Sequence, residues 1–348
     1  MRIAIVTDAW RPQINGVVTT LGYTRRELEA LGHEVRMVTP EGSRTVGLPT
    51  YPDIRLSLRP GRKVRRALQD FRPEAIHIVT EGPLGLAARR YCRRHGLPFT
   101  TSFHTRFPEY VQLRLPFVPL SWGYAFLRWF HGPATRTMVT NDTMADELTR
   151  HGLTHLVQWT RGVDTELFRP RSEDVLGVGH PVFLYVGRVA VEKGLAEFLR
   201  LSLPGTKVVV GDGPARAHLE AEFPEAVFTG FKTGGELAAH VASADVFVFP
   251  SRTDTFGLVL YEAMACGVPV AAYPVQGPRN IVTPGVTGCL DEDLGHAASE
   301  ALKLDRARCR EAALGHSWRT ATEELLGHLE PIGAATPLKH PSTTTSEG

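Results

Sequence analysis

Residues 250–270 read PSRTDTFGLVLYEAMACGVPV, and residues 244–249 before them read ADVFVF. The apolar run Val246–Phe249 predicts a buried strand. A loop around Gly257 follows, and then a helix that carries Glu262, Ala263 and Met264. Strand, glycine loop and helix in that order aim free backbone N–H groups beyond the carboxyl end of the strand, where an anion such as a phosphate is stabilised. Asp254 and Glu262 stand eight positions apart. A carboxylate two turns into such a helix can accept hydrogen bonds from a ribose diol.

The same alternation runs through the chain. Apolar runs at 3–7, 35–39, 75–79, 99–103 and 137–140 predict strands in the first half. Helices are expected near 17–31 and 84–95, and Asn141 or Asp142 should cap one after the last of these strands. The second half repeats the plan with strands at 182–187, 207–211, 227–230 and 246–249. Repeated strand–helix alternation is the mark of a doubly wound α/β sheet, and 348 residues suffice for two such domains.

Composition narrows the class. Hydrophobic residues make up 43% and charged residues 22%, as in an ordinary globular protein. Four scattered cysteines without a CxxC argue for a reducing compartment and against a disulfide framework or zinc site. The strand-like start MRIAIVTDAW predicts no cleavable signal, and no apolar run reaches the roughly 20 residues needed to span a bilayer. Net charge is only +2, yet residues 1–170 hold 24 Lys+Arg against 15 Asp+Glu, a net +9, which leaves −7 for the rest. A basic first half points to an anionic surface, and no nucleic-acid-binding motif is present.

The stretch from Asp254 to Glu262 resembles the E-x7-E signature of retaining glycosyltransferases of family 4, which have the GT-B fold, with Asp254 in place of the first Glu. The TDTFG form is similar to the bacterial glycolipid-forming subgroup and to GDP-mannose-dependent mannosyltransferases. Residues 161–170, RGVDTELFRP, resemble the passage that joins the halves of such enzymes, so the resemblance covers about 1–330. It implies two Rossmann-like domains facing a cleft: 1–165 for the acceptor and 166–315 for the nucleotide sugar. A terminal helix at about 316–332 would cross back onto the first domain. The Pro/Ser/Thr-rich residues 333–348 are expected to be disordered.

The resemblance also assigns roles. Gly187-Arg188 and Lys193-Gly194 match a passage whose Arg and Lys hold the donor diphosphate. Departure of a nucleoside diphosphate builds charge on the β-phosphate, and two fixed cations there stabilise the transition state above the ground state. Asp254 would face the hexose, Glu262 the ribose, and Thr255, Phe256, Gly257 and Leu258 the phosphates. Gly16, where the first loop meets its helix, would let the backbone approach a phosphate. His104, beyond a strand end, could donate to a sugar hydroxyl or offer its carbonyl to the anomeric carbon. His104, Arg188, Lys193 and Asp254 form the catalytic set. Gly211-Asp212 and Phe231-Lys232 could border the nucleobase, or simply be loops. Glu81, Thr105, Arg106 and Tyr110 are candidates for the acceptor, although Glu81 would equally suit a turn and helix cap. Asp291 and Asp293 match D-x-D but lie in a polar loop, and acidic loop runs are usually solvated. With two cations in place no metal or other cofactor is expected.

Two basic clusters (Arg59, Arg62, Lys63, Arg65, Arg66 and Arg89, Arg90, Arg93, Arg94) and the aromatic segment 117–130, with Arg114 just upstream, suit the anionic inner face of a cytoplasmic membrane. Aromatics at helical spacing also suit a core, and arginine runs a solvated face. The expected reaction is transfer of glucose, galactose or glucuronic acid from a UDP-sugar to diacylglycerol or a glycolipid. Transfer would proceed with retention by front-face attack, since no nucleophile stands at a motif position. A GDP-mannose donor is the alternative. An epimerase, a phosphorylase and a non-enzymatic membrane scaffold are rivals, which turnover of a nucleotide sugar and its product would separate.

Overall fold

The computed structural model describes residues 1–333 apart from 14, 49–50, 105–107, 109–116, 118, 253 and 255. Thr105, Arg106, Tyr110, Arg114, Thr255 and the tail from 334 thus lie outside the described residues. The chain divides into two compact units, 1–160 with 322 onward, and 161–321. The second division falls within one helix, Trp318–His328.

The first unit is built on strands β1 (Arg2–Val6), β2 (Glu34–Val38), β5 (Ala75–Ile78), β6 (Thr100–Ser102), β7 (Thr137–Val139) and β8 (Leu156–Gln158), with a hairpin of β3 (Thr45–Leu48) and β4 (Tyr51–Ser57) inserted. The sheet is parallel throughout, in the order β2-β1-β5-β6-β7-β8. Successive side chains of a strand point to opposite faces, and β1 supplies both cores. Ala4 and Val6 pack with Val64, Leu68 and Leu84, while Ile3 and Ile5 pack with Leu21, Leu28, Trp159 and Leu325. Burial on both faces explains why these strands are uninterrupted apolar runs. The Asn15 side chain caps helix Gly16–Ala30 by accepting from Val17 N and Val18 N, each at 3.0 Å, and Asn141 caps Asp142–Arg150.

The second unit repeats the architecture with β9 (Val182–Val186), β10 (Thr206–Val210), β11 (Val227–Gly230), β12 (Val246–Phe249), β13 (Val270–Ala272) and β14 (Gly288–Leu290). Its parallel order is β11-β10-β9-β12-β13-β14. Val182, Leu184 and Val186 of β9 enter one core, and Phe183 and Tyr185 the other. Arg310, which no sequence pattern singled out, donates to the carbonyls of Phe168 and Ala265 at 2.7 Å and of Thr165 at 3.0 Å. One guanidinium thereby ties residues 165–168 to the end of helix Leu258–Ala265.

Both sheets reverse direction beside their first strand, at β1/β5 and at β9/β12. In doubly wound sheets ligands bind at the carboxyl ends of the strands flanking that reversal. At the β1/β5 point Asp8 is buried. Its carboxylate accepts from Leu84 N at 2.9 Å, Gly85 N at 3.3 Å and Thr80 Oγ1 at 3.0 Å, which caps helix Pro83–His95 from a distant loop. The packing there leaves no room for a side chain at Gly85, whose added Cβ would fall 1.8 Å from the Thr80 carbonyl oxygen. Helix propensity alone favours Gly→Ala by about 1 kcal/mol, but overpacking against backbone costs about 1–3 kcal/mol or more. Gly85→Ala should therefore lower the midpoint of urea unfolding, and an unchanged or raised midpoint would show that the backbone at Thr80 gives way freely to the added methyl.

Candidate functional site

In the second unit the loops after β9 and β10 and the end of β11 lock together through their backbones. Gly187 N donates to Val210 O at 3.0 Å, Val189 N to Asp212 O at 2.9 Å, and Gly211 N to Gly230 O at 2.9 Å. A Cβ at Gly211 would lie 1.9 Å from Gly187 O, so only glycine permits the approach. At Gly194, with φ +69, an added Cβ would likewise lie 2.7 Å from Pro250 O. The Tyr185 hydroxyl donates to Arg188 O at 3.0 Å. Burial, with the charges of Asp254 and Glu192, pushes that phenol up, so it remains a donor.

This framework joins two residues from different motifs. Lys193 Nζ donates to Asp254 Oδ1 at 2.5 Å, with both side chains about four-fifths buried. Arg188 Nη2 reaches Glu192 Oε1 at 2.7 Å. Each of these cations therefore has a carboxylate partner, at the reversal point of the sheet. Gly257 (φ +89) precedes helix Leu258–Ala265, and Phe256 packs its ring 5.7 Å from that of Tyr261. Glu262 lies in the second turn, half-buried, and burial pushes its carboxyl up to about 7.

The other positions of this unit are loop residues with local partners. Asp212 accepts from Gly213 N at 2.7 Å and pairs with Arg216 at 3.1 Å. Lys232 is tied to Glu236, and Phe231 is exposed beside it. Asp293 caps helix Leu294–Ala301 by accepting from Gly295 N at 2.9 Å and His296 N at 3.1 Å. Asp291 accepts from Asp293 N at 2.8 Å. The D-x-D pattern here is helix-capping chemistry.

In the first unit Gly16 opens its helix, but the Asn15 side chain occupies the adjacent N–H groups. Glu81 follows β5 and is held by buried His131, which donates from Nε2 to Glu81 Oε1 at 3.2 Å, while Gly82 takes the cap position. His104 lies just past β6, partly exposed, with Nε2 2.8 Å from Ser102 Oγ. Sequence reasoning missed the buried partners His77, Ser102, His131 and Trp159, since each reads as one polar or aromatic residue within or beside a strand. It also missed a cavity of about 670 Å³ along helix Gly16–Ala30, bordered by Trp10, Arg11, Gln13, Asn15, Tyr23 and Arg26.

The basic and aromatic clusters divide. Arg62, Arg65 and Arg66 are exposed on helix Pro60–Phe71, but Lys63 turns to Glu41 O and Ser43 Oγ. Arg90, Arg93 and Arg94 are exposed, whereas Arg89 is buried, donates to Phe130 O at 2.9 Å and lies 3.9 Å over the Trp129 ring. On helix Leu120–His131, Trp122 and Trp129 are exposed while Tyr124 and Phe130 are core. Among the described residues no helix is long and apolar enough to cross a membrane.

Comparison with known proteins bears on this arrangement. Residues 14–167 match the model of Glycosyltransferase Family 4, and residues 180–304 that of Glycosyl transferases group 1. A GDP-mannose-dependent alpha-mannosyltransferase of Mycobacterium tuberculosis is 32% identical over 95% of this chain and 97% of its own length. Alpha-monoglucosyldiacylglycerol synthase of Streptococcus pneumoniae is 26% identical over 87% of this chain and 78% of its own. In structure, the sucrose-phosphate synthase of Thermosynechococcus elongatus matches with a TM-score of 0.75 at 20% identity, over 94% of this chain and 97% of that one. The chain belongs to glycosyltransferase family 4, and its two doubly wound units are those of the GT-B fold.

Proposed function

We propose that the protein transfers a hexose from a nucleoside diphosphate sugar to a hydroxyl of a membrane lipid, with retention at the anomeric carbon and without a divalent metal. The observation that carries this reading is the contact of Lys193 with Asp254, beside Arg188, at the reversal point of the second sheet. A donor diphosphate there replaces Asp254 as the partner of Lys193. Asp254 then becomes free to accept from hydroxyls of the hexose. Arg188 and Lys193 neutralise the charge that grows on the leaving phosphate. No covalent intermediate is invoked. The leaving phosphate assists deprotonation of the acceptor on the same face, and His104 donates a hydrogen bond to a hydroxyl of the hexose.

The mannosyltransferase likeness, the higher of the two relatives in identity and coverage, favours GDP-mannose as donor. A UDP-hexose such as UDP-glucose is the second reading, favoured by the glucosyldiacylglycerol synthase likeness. The lipid acceptor draws on that same relative and on the exposed Trp122, Trp129, Arg62, Arg65 and Arg66 of the first unit. Tryptophans at the headgroup level and arginines near an anionic leaflet both favour the interface, each cation by about 1 kcal/mol. That placement supports an inner-leaflet, peripheral location.

The test is transfer from GDP-mannose and a panel of UDP-hexoses to vesicles of membrane lipid, with product mass and anomeric configuration read out. One donor should give a retained glycolipid, undiminished by EDTA. Activity should require anionic vesicles and fall between about 0.1 and 1 M salt as the screening length shortens. Reversing Arg62, Arg65 and Arg66 should reduce transfer to vesicles but not donor affinity. An inverted product, loss with EDTA restored by Mg²⁺, equal activity on neutral vesicles, or a nucleotide-sugar product formed without acceptor would each contradict the corresponding part of the proposal.

Glu262 gives an independent prediction. Its folded pKa of about 7 lies above the ordinary 4.5, so between those values the folded state binds more protons than the unfolded one. Stability from this group is present below about pH 4.5 and is lost as pH rises to about 7, at no more than about 1.4 kcal/mol per unit. Glu262→Gln removes this loss. The stability of the variant relative to the parent should rise from pH 5 to pH 8 in urea titrations. A difference independent of pH would mean that Glu262 is already ionised at pH 5.

A further inference from the structure

Three side chains behind His104 join it in a continuous hydrogen-bond chain. Thr100 Oγ1 lies 2.9 Å from His77 Nδ1, His77 Nε2 lies 3.2 Å from Ser102 Oγ, and Ser102 Oγ lies 2.8 Å from His104 Nε2. The sheet builds it. Thr100, Ser102 and His104 alternate along one face of β6 and its extension, and the parallel register sets His77 of β5 opposite Thr100. Thr100, His77 and Ser102 are fully buried, and only His104 reaches solvent. The Trp159 ring stands nearly perpendicular to both imidazoles, with each centroid 5.8 Å away.

A neutral imidazole has one N–H and one lone-pair nitrogen, and a hydroxyl has one proton. Every link in the chain needs one donor, so all the protons must point the same way. In the outward direction Thr100 donates to His77 Nδ1, His77 Nε2–H to Ser102, and Ser102 to His104 Nε2. The proton of His104 is then on Nδ1. In the inward direction His104 Nε2–H donates to Ser102, Ser102 to His77 Nε2, and His77 Nδ1–H to Thr100, and Nδ1 of His104 becomes an acceptor. Among the described residues the Thr100 hydroxyl has no hydrogen-bond partner besides His77. The inward direction would leave its buried O–H without an acceptor, which is costly. We infer that Thr100, His77 and Ser102 are positioning residues that fix His104 as the Nδ1–H tautomer, so that His104 meets the donor sugar as a hydrogen-bond donor through Nδ1. The contact with the sugar rests on the proposed role of His104; the tautomer does not.

The test is a ¹⁵N-histidine correlation spectrum of the intact protein at a pH where His104 is neutral, with the His104 signals assigned by their loss in His104→Gln. The parent should show His104 protonated on Nδ1, the less common form in free solution. Ser102→Ala should shift it to Nε2–H, Thr100→Val should shift it at least partly, and Ser102→Thr should restore Nδ1–H. In transfer assays Ser102→Ala should lower kcat or raise the donor KM several-fold without weakening binding of the bare nucleoside diphosphate, and Ser102→Thr should recover it. Nε2–H in the parent, or Nδ1–H retained in Ser102→Ala, overturns the inference whatever His104 does in the reaction. Full turnover in His104→Ala with the tautomer pattern as stated would instead overturn the role given to His104 while leaving the hydrogen-bond chain in place.

Discussion

The candidate donor site depends on how closely three backbone loops approach one another at the carboxyl ends of β9, β10 and β12. Gly211 and Gly194 bring the backbone close to the carbonyls of Gly187 and Pro250, where any side chain would hold them apart. Loops so constrained carry Lys193 and Asp254, 61 residues apart in the chain, into direct contact. A long flexible lysine in solution would spend rotamer entropy to hold one position. Here a short helical turn, the Gly194 reversal and the partner carboxylate define its place before any ligand arrives. Such preorganisation is the main source of electrostatic stabilisation in transfer reactions that build charge on a leaving group.

The first unit has a different economy. Polar side chains buried in and beside its strands satisfy one another: Asp8 with the start of helix Pro83–His95, His131 with Thr101 and Glu81, and His77 with Thr100 and Ser102. Buried polar groups are costly unless each finds a partner. Arrays of this kind restrict the positions and proton arrangements that their exposed members, His104 and Glu81, can adopt.

Strands and motifs were legible in the sequence because buried parallel strands are uninterrupted apolar runs and motif residues sit at fixed offsets from them. The hairpin β3–β4 and the three-residue strands β8, β13 and β14 were not, since short segments carry too little periodicity to stand out. Side-chain partners were less legible than elements. Arg89 and Lys63 read as members of basic runs, yet one holds the end of helix Leu120–His131 and the other a loop. Arg310 clamps carbonyls more than 40 residues away, which no local pattern encodes. The aromatic segment split between core and surface because a helix turns only one face inward. The offset of Asp254 from Glu262 was visible, whereas the partner of Asp254 was not, because pairing with Lys193 depends on the packing of loops after two separate strands.

If the donor diphosphate competes with Asp254 for Lys193, the affinity of the bare nucleoside diphosphate registers that competition. Calorimetric titration of the parent, Lys193→Ala and Asp254→Asn separates the contributions. Loss of Lys193 should weaken binding by roughly tenfold or more, the value of a charge-assisted hydrogen bond. Asp254→Asn removes the competing charge and leaves Lys193 in place, so binding of the bare diphosphate should tighten several-fold while hexose transfer falls. Weakening by Asp254→Asn to the level of Lys193→Ala would rule out this competition, because Asp254 would then be holding Lys193 for the diphosphate.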